Sequence, residues 1–226
     1  MTGRSGPSPG LVIFDCDGVL VDSEPIGLAI LLHTLAEAGL PLDPAVAQDR
    51  FLGRSLASTV AILAADFGLL LDDAALGAMR ARLYDAFRAE LRPITGIAET
   101  LQRLACPVCV ASSSQPERIE LSLRVTGLWP RFAGGVFSAT MVEHGKPAPD
   151  LFLHAARIMG FAPRDCLVVE DSPAGVLAAQ AAGMRVIGFV GGGHARGAAH
   201  RAALAALGPE RVIEDMRALA AIANGD

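Results

Sequence analysis

The stretch that decides the fold is LVIFDCDGVLVDSE, residues 11–24. Its first four residues, Leu11 to Phe14, are all apolar, which predicts a strand buried on both faces. The run stops at Asp15 and Asp17, and Gly18 follows. Because aspartate is disfavoured in strands and glycine permits a tight reversal, both carboxylates are expected at the strand's carboxyl end. Ligands bind at that edge in open α/β sheets, although Asp-x-Asp-Gly is also ordinary turn chemistry.

The composition indicates a globular protein with one large domain or two small ones. The chain has 226 residues, of which 52% are hydrophobic and 19% charged. Its formal net charge is −5 and it has no basic block, which argues against nucleic acid as a partner. The longest uncharged runs are too short to span a bilayer, and the polar N-terminus MTGRSGPSPG lacks a signal-peptide core. We therefore expect a cytoplasmic protein without membrane contact, and a monomer by default.

Two kinds of segment divide the chain. From Ser23 to Leu91 the apolar residues recur at helical spacing, with no convincing strand. From Arg92 onward, strand-like and helix-like segments alternate, which predicts a mostly parallel sheet covered on both faces. The strands are predicted at Pro107–Ala111, Gly135–Phe137, Cys166–Val169, Arg185–Val190 and Arg211–Ile213.

The opening strand belongs with the second kind of segment, because the helical part offers it nothing to pair with. The predicted fold class is thus α/β, with a Rossmann-like, doubly wound core formed by residues 1–22 and 92–226. A helical cap domain, residues 23–91, is inserted directly after the two aspartates.

Polar residues follow three further predicted strands. Ser112, Ser113 and Ser114 precede a helix, and hydroxyls at a helix N-terminus bind phosphate-like anions, although a serine-rich cap is equally common. The loop GKPAPD presents Lys146 from a rigid base, because Pro147 and Pro149 stiffen the chain that follows it. Since the other eighteen basic residues are all arginine, a lysine here indicates a need for a compact ammonium group.

Glu170 and Asp171 end the strand CLVV and mirror Asp15 and Asp17. Four carboxylates at one sheet edge repel one another unless a cation lies among them, and an all-oxygen set suits Mg²⁺. The five histidines show no zinc-like spacing, and Gly191-Gly192-Gly193 matches no phosphate-binding pattern, which favours a flexible loop. The four cysteines, including the C-x-x-C pair Cys106 and Cys109, fall in or beside apolar strands and are interpreted as structural thiols.

The segments DCDGVLVDSE, VASSS, GKPAPD and VVEDSPAGVLAAQAAGM together resemble the haloacid dehalogenase-like hydrolase superfamily. Within it they resemble the capped subgroup of β-phosphoglucomutase-like proteins and phosphogluconate or sugar-phosphate phosphatases. The resemblance implies a phosphomonoester hydrolase that acts on a small phosphorylated metabolite through an aspartyl-phosphate.

The resemblance also implies roles for individual residues. Asp15 matches the nucleophile and Asp17 the general acid/base. Ser112 matches the phosphate-binding hydroxyl, with Ser113 and Ser114 beside it in the substrate site. Lys146 matches the lysine that neutralises charge. The Mg²⁺ ligands are placed at Asp15, Asp17 and Asp171, supported by Glu170, with Asp17 contributing its main-chain carbonyl.

Four alternatives are weighed against this interpretation. A dehalogenase lacks an aspartate at position 17, and a phosphonate-cleaving relative needs a second lysine, which this chain lacks. A β-phosphoglucomutase-like mutase remains open, but Gly27 and Leu56 replace its hinge histidine and cap arginine. A non-catalytic sugar-phosphate binding protein also remains open.

Substrate selectivity is expected in the cap. The candidates are Arg54, Ser55, Arg82 and Tyr84, with Arg54 favoured because it follows Gly53 in a loop expected to face the core. Taken singly, each is better explained as a surface or packing residue than as a substrate contact. Closure of the cap over the core is expected, with hinges near Val21–Ser23 and Leu91–Pro93.

Overall fold

A single parallel sheet organises the larger part of the molecule. The structure is a computed structural model that describes residues 8–51, 56–195 and 197–225. Within these residues, six strands lie in the order β3-β2-β1-β4-β5-β6, and every neighbouring pair is parallel. The strands are β1 (Leu11–Phe14), β2 (Val108–Ser112), β3 (Val136–Ser138), β4 (Cys166–Glu170), β5 (Arg185–Phe189) and β6 (Arg211–Ile213).

The helices fall into two groups along the chain. The first group follows β1 and contains α1 (Glu24–Glu37), α2 (Pro44–Phe51), α3 (Leu56–Phe67) and α4 (Asp73–Glu90). The second group alternates with the strands and contains α5 (Ile97–Arg103), α6 (Pro116–Val125), α7 (Trp129–Phe132), α8 (Asp150–Met159), α9 (Pro173–Ala181), α10 (Ala198–Ala206) and α11 (Ala218–Asn224). Short 3₁₀ turns lie at Ala139–Met141 and Pro163–Asp165.

Strand β1 lies at the centre of the sheet because both of its faces are apolar. All four of its residues are completely buried, and each contributes about 1.5–3 kcal/mol of burial. Leu11 and Ile13 join a core that includes Phe152 of α8, whereas the ring of Phe14 packs edge-on against Phe132 of α7, with centroids 6.0 Å apart. Helices therefore cover both faces of the sheet.

The strand order places a ligand-binding edge between β1 and β4. The chain moves outward from β1 to β2 and β3, then crosses back and continues through β4, β5 and β6. This reversal separates the loops that follow β1 and β4, so a crevice forms at the carboxyl ends of these two strands. The loops in question carry Asp15, Asp17, Glu170 and Asp171.

The chain divides into two compact units, Met1–Asp22 with Arg92–Asp226, and Ser23–Leu91. The smaller unit has a core of its own formed by side chains from α1 to α4. Two ion pairs tie its helices together, Arg82 with Glu37 and Arg50 with Asp66. Asp72 caps α4, where its side chain accepts a hydrogen bond of 2.8 Å from the amide of Ala75.

The predicted α/β fold class is confirmed, and the sheet is parallel throughout the described residues. Each predicted strand is present, with bounds that differ from the expected ones by one residue at most. Helix α7 was not predicted, because four residues are too few to show a helical period. In the part of the chain that the structure describes, no helix combines the length and apolar character needed to cross a bilayer.

Candidate active site

Asp15 lies buried at the carboxyl end of β1. Its amide donates to the carbonyl of Val169 in β4 at 3.0 Å, which continues the β1–β4 ladder by one residue. The residue as a whole is 7% exposed, and its Oδ1 lies 2.6 Å from Nζ of Lys146. The carboxylate is therefore held in a defined position at the sheet edge.

Lys146 is a buried cation shared among three acceptors. Its Nζ donates to Asp15 Oδ1, to the carbonyl of Ala111 at 2.9 Å and to Glu170 Oε1 at 2.5 Å, and it lies 4.9 Å from the ring centroid of Phe152. Burial alone would lower the pKa of Lys146, but the carboxylates of Asp15 and Glu170 outweigh it and raise the pKa above its ordinary value. The ammonium group is thus fully charged at neutral pH.

Glu170 serves as a counter-ion and as support for a helix start. Oε1 accepts from Lys146, while Oε2 accepts from the amide and the hydroxyl of Ser172, which itself caps α9. A side chain at position 175 would collide with this carboxylate, so a glycine is required there. Both oxygens of Glu170 thus accept hydrogen bonds from other residues of the chain.

Asp17 points its side chain toward the loop after β2. Its Oδ2 accepts from the hydroxyl of Ser114 at 2.6 Å, and its Oδ1 accepts from Nη2 of Arg118 at 2.8 Å. Arg118 was not predicted as a site residue. The chain has eighteen arginines, and nothing in the sequence distinguishes this one from the others. The Asp17 side chain is thus directed to two donors rather than to a carboxylate cluster.

The loop that contains Ser112, Ser113 and Ser114 contacts Asp17 through the hydroxyl of Ser114. Ser112 is buried, and its Oγ accepts from the amide of Ser114 at 3.1 Å. The carbonyl of Ser114 accepts from Ser138 at 2.7 Å, which anchors the loop to β3. Ser113 is exposed at its tip. Two of the three predicted serines are therefore ordered by local hydrogen bonds, and Ser114 contacts Asp17.

Asp171 is buried against two histidines and a glycine. Its Oδ2 lies 2.7 Å from Nε2 of His194, and its main-chain carbonyl accepts from Nε2 of His200 at 2.7 Å. Gly18 has φ of +80°, and a side chain there would overlap with the Asp171 carboxylate. Sequence reasoning missed both histidines, because only the fold brings positions 171, 194 and 200 together.

The loop 191–193 is packed, not flexible as predicted. The amide of Gly193 donates to Asp22 Oδ1 at 2.9 Å. A side chain at position 192 would lie 2.9 Å from the carbonyl of Gly18. A glycine at position 192 therefore allows the close approach to the loop after β1.

The carboxylates of the site outnumber its ammonium group, which favours the binding of a cation. Burial raises the pKa of Asp15 well above its usual range, Lys146 acts in the opposite direction, and the anions Glu170 and Asp171 raise it further. One ammonium thus faces three carboxylates. A hard divalent cation between Asp15 and Asp171 fits this oxygen-only donor set and would offset the surplus negative charge.

The predicted four-carboxylate metal cluster does not form. In the described residues, no group of three or more histidine, cysteine, aspartate or glutamate side chains is arranged to hold a metal ion. The physical reason is that Asp17 is directed to Ser114 and Arg118, while Glu170 is directed to Lys146 and Ser172. The side chains that fit a cation are thus Asp15 and Asp171.

The cap candidates fall into two groups. Arg54 and Ser55 lie outside the described residues, whereas Arg82 and Tyr84 lie on α4. Arg82 makes a two-contact ion pair with Glu37, which joins α4 to α1 within the smaller unit. This pairing gives Arg82 a packing role.

All four cysteines are free, and three of them are buried. Burial raises the pKa of all four thiols, and that of Cys166 to about 11. The thiols are thus poor nucleophiles, in agreement with the structural role predicted for them.

Comparison with known proteins decides the family. The family model described as haloacid dehalogenase-like hydrolase matches residues 9–183, which is most of the chain. The chain belongs to the haloacid dehalogenase-like hydrolases. This confirms the family predicted from the sequence and its class as an enzyme.

Relatives within the haloacid dehalogenase-like hydrolases cover nearly the whole chain. The 6-phosphogluconate phosphatase of Escherichia coli (strain K12) is 33% identical over 84% of this chain and 86% of its own length. A haloacid dehalogenase-like protein of unknown function from Agrobacterium tumefaciens has a TM-score of 0.82 and 37% identity, covering 94% of this chain and 96% of its own. A family hydrolase from Deinococcus radiodurans R1, with bound phosphate and sodium, has a TM-score of 0.77 and 36% identity, covering 97% of each chain.

Proposed function

We propose that this haloacid dehalogenase-like hydrolase is a Mg²⁺-dependent phosphatase of small phosphorylated metabolites, namely sugar or sugar-acid phosphates. The observation that carries the proposal is the buried Asp15 carboxylate held 2.6 Å from the Lys146 ammonium at the carboxyl end of β1. The likeness to a phosphogluconate phosphatase and to a phosphate-bound hydrolase supports the same class of substrate.

The first step is attack by Asp15. One of its oxygens bonds to the phosphorus of the monoester, and the bond from phosphorus to the leaving oxygen breaks. The substrate is an anion, so its approach to a carboxylate is opposed by charge. Lys146 reduces this repulsion because its ammonium already contacts the nucleophile, and Glu170 holds the ammonium from the other side.

A Mg²⁺ ion held by Asp15, Asp171 and the main-chain carbonyl of Asp17 would supply further charge neutralisation and orient the phosphoryl group. The sodium-containing structure of the Deinococcus relative supports a cation in this family. The carboxylates of this chain that would hold the ion are Asp15, which contacts Lys146, and Asp171, which lies against Gly18.

The second step regenerates the enzyme. A water molecule attacks the phosphorus of the aspartyl-phosphate, the bond to Asp15 breaks, and phosphate leaves. Asp17 gives a proton to the leaving oxygen in the first step and takes one from the water in the second. In this structure both carboxylate oxygens of Asp17 accept hydrogen bonds, one from Ser114 and one from Arg118, and these contacts fix the orientation of its side chain.

Selection among substrates is proposed to lie in the unit Ser23–Leu91, with Arg54 and Ser55 as the residues to test. Arg82 is a weaker candidate because it forms an ion pair with Glu37. Arg54→Ala is expected to raise KM for the preferred substrate more than it lowers kcat. A binding contact far from the reacting atoms stabilises the bound substrate and the transition state alike.

The test is a phosphate-release screen over sugar, sugar-acid and polyol phosphates in the presence of Mg²⁺. The wild-type protein should release phosphate, and Asp15→Asn should not. Asp165→Asn is the matched control, because Asp165 is a half-exposed aspartate in the turn before β4. Equal release by wild type and Asp15→Asn would reject the proposal, and conversion of one sugar phosphate into an isomer without free phosphate would favour a mutase.

A further inference from the structure

Two histidines hold the side chain and the main chain of Asp171 at once. The Nε2–H group of His194 donates to Oδ2 at 2.7 Å, and the Nε2–H group of His200 donates to the carbonyl of the same residue at 2.7 Å. The two rings pack edge-on with centroids 5.6 Å apart. The side chain of His194 is 2% exposed and that of Asp171 is 7% exposed, so water does not compete for this contact.

The position of His194 is fixed by the loop that carries it. Built side chains at positions 18 and 192 would lie 2.6 Å and 3.0 Å from Cε1 of His194, so the imidazole fills the space that the two glycines leave. The amide of Gly193 is tied to Asp22, which follows the strand-end loop after β1. The loop after β5 is therefore built to press one imidazole against one carboxylate.

We propose that His194 and His200 are positioning residues for Asp171, which set the orientation of its carboxylate toward the metal ion. The inference rests on the proposed function, in which Asp171 is a ligand of that ion. A free carboxylate rotates about its side-chain torsions, and each orientation lost on binding weakens the affinity. A donor fixed on Oδ2 and a second donor on the carbonyl remove this freedom before the metal binds.

The expected size of the effect comes from other sites of this kind. Residues that hydrogen-bond to a metal ligand, and do not contact the metal, typically change its affinity by about 10–100-fold when they are replaced. A residue that serves only to fill space in the core would change the stability of the fold and leave the affinity of the folded protein unchanged. Metal affinity measured without substrate therefore separates the two roles.

The experiment measures Mn²⁺ binding to the substrate-free full chain by titration calorimetry and by the electron paramagnetic resonance of free Mn²⁺. We expect His194→Ala to weaken binding by about 10–100-fold and His200→Ala to weaken it by a smaller factor. His194→Gln should recover most of the loss, because its amide nitrogen reaches the place of Nε2. His33→Gln is the matched control, since His33 is exposed on α1 in the smaller unit.

Activity gives a second readout with the same logic. At saturating metal, His194→Ala should have a kcat near that of the wild type, whereas the concentration of Mg²⁺ needed for half-maximal activity should rise in step with the Mn²⁺ dissociation constant. If His194→Ala does not fold, His194→Asn replaces it, because its shorter amide fills part of the space but cannot reach Oδ2.

Two failures are distinguishable. If the wild type binds Mn²⁺ no more tightly than Asp171→Asn does, Asp171 is not a metal ligand, and the metal site of the proposed function is rejected. If the wild type binds, Asp171→Asn does not, and folded His194 and His200 variants bind as the wild type does, the positioning role is overturned and the proposed function stands.

Discussion

Replacing Lys146 with methionine removes a buried charge on which two carboxylates depend. Methionine keeps most of the apolar stem beside Phe152, so the change acts mainly on the ammonium group. Asp15 and Glu170 are then left buried with no cation between them. Breaking a buried ion pair by removing one partner costs about 3–5 kcal/mol, and we expect Lys146→Met to lower the free energy of unfolding at neutral pH by that amount.

The dependence of this loss on pH has a definite sign. The pKa of Asp15 is already raised by burial and by its anionic neighbours, and loss of Lys146 raises it further. A carboxyl with a folded-state pKa above its unfolded value stabilises the fold as pH falls through the folded-state pKa, because the folded form then binds the extra proton. The difference in stability between wild type and Lys146→Met should therefore shrink when the pH is lowered from about 8 toward the ordinary range of Asp and Glu.

The assay is unfolding in urea, monitored by the fluorescence of Trp129. Trp129 is the single tryptophan of the chain and lies in the unit that contains the sheet. Arg185→Met is the control, because Arg185 forms a two-contact pair with Glu210 that is partly exposed and should contribute less than about 1 kcal/mol. If Lys146→Met loses no more than this control, the ammonium group is not the buried counter-ion that the structure shows.

Three further predictions concern other parts of the chain. Asp72→Ala should lower the free energy of unfolding of the smaller unit by about 1 kcal/mol, measured by far-ultraviolet circular dichroism in urea, because it removes the cap of α4; no change would reject the cap. A thiol reagent at neutral pH should label Cys106 first and the three buried cysteines only after unfolding, which peptide mapping checks; fast labelling of the buried thiols would contradict their burial. Removal of divalent cations with a chelator should abolish phosphate release and added Mg²⁺ should restore it, whereas undiminished release would reject the metal requirement.

The sheet was predictable because its strands are short apolar runs in the sequence. Leu11–Phe14 and Cys166–Val169 are uninterrupted apolar segments that end in acids, and strands buried on both faces have this pattern. The spacing of such runs with helices between them requires parallel pairing. The four-residue helix Trp129–Phe132 carries no comparable signal, and the structure was needed to find it.

The site was predictable only where chain neighbours or recognisable motifs defined it. Asp15 and Lys146 are separated by 131 residues, and the motifs that contain them predicted a common site before any distance was known. The partners of the other acids depend on side-chain orientation, which no spacing encodes. Glu170 was therefore predicted at the metal, although the structure directs it to Lys146 and Ser172.

The contacts of Arg118, His194 and His200 were missed for a related reason. Each of them reaches an aspartate that lies 23 to 101 residues away, where the distance along the chain gives no indication of proximity. The glycines at 191–193 were interpreted as a flexible loop because glycine permits flexibility. In the structure Gly192 has no side chain to hold the two loops apart, so this loop packs against Gly18.

The account depends most directly on Asp15 as the nucleophile. The decisive measurement is mass spectrometry of the peptide that contains Asp15, after mixing the protein with Mg²⁺ and a hydrolysed substrate and stopping the reaction with acid. We predict that this peptide gains the mass of one phosphoryl group, located on Asp15, and that Asp17→Asn changes how long the phosphorylated form persists. Phosphate release by a protein whose Asp15 never carries the phosphoryl group would contradict the account.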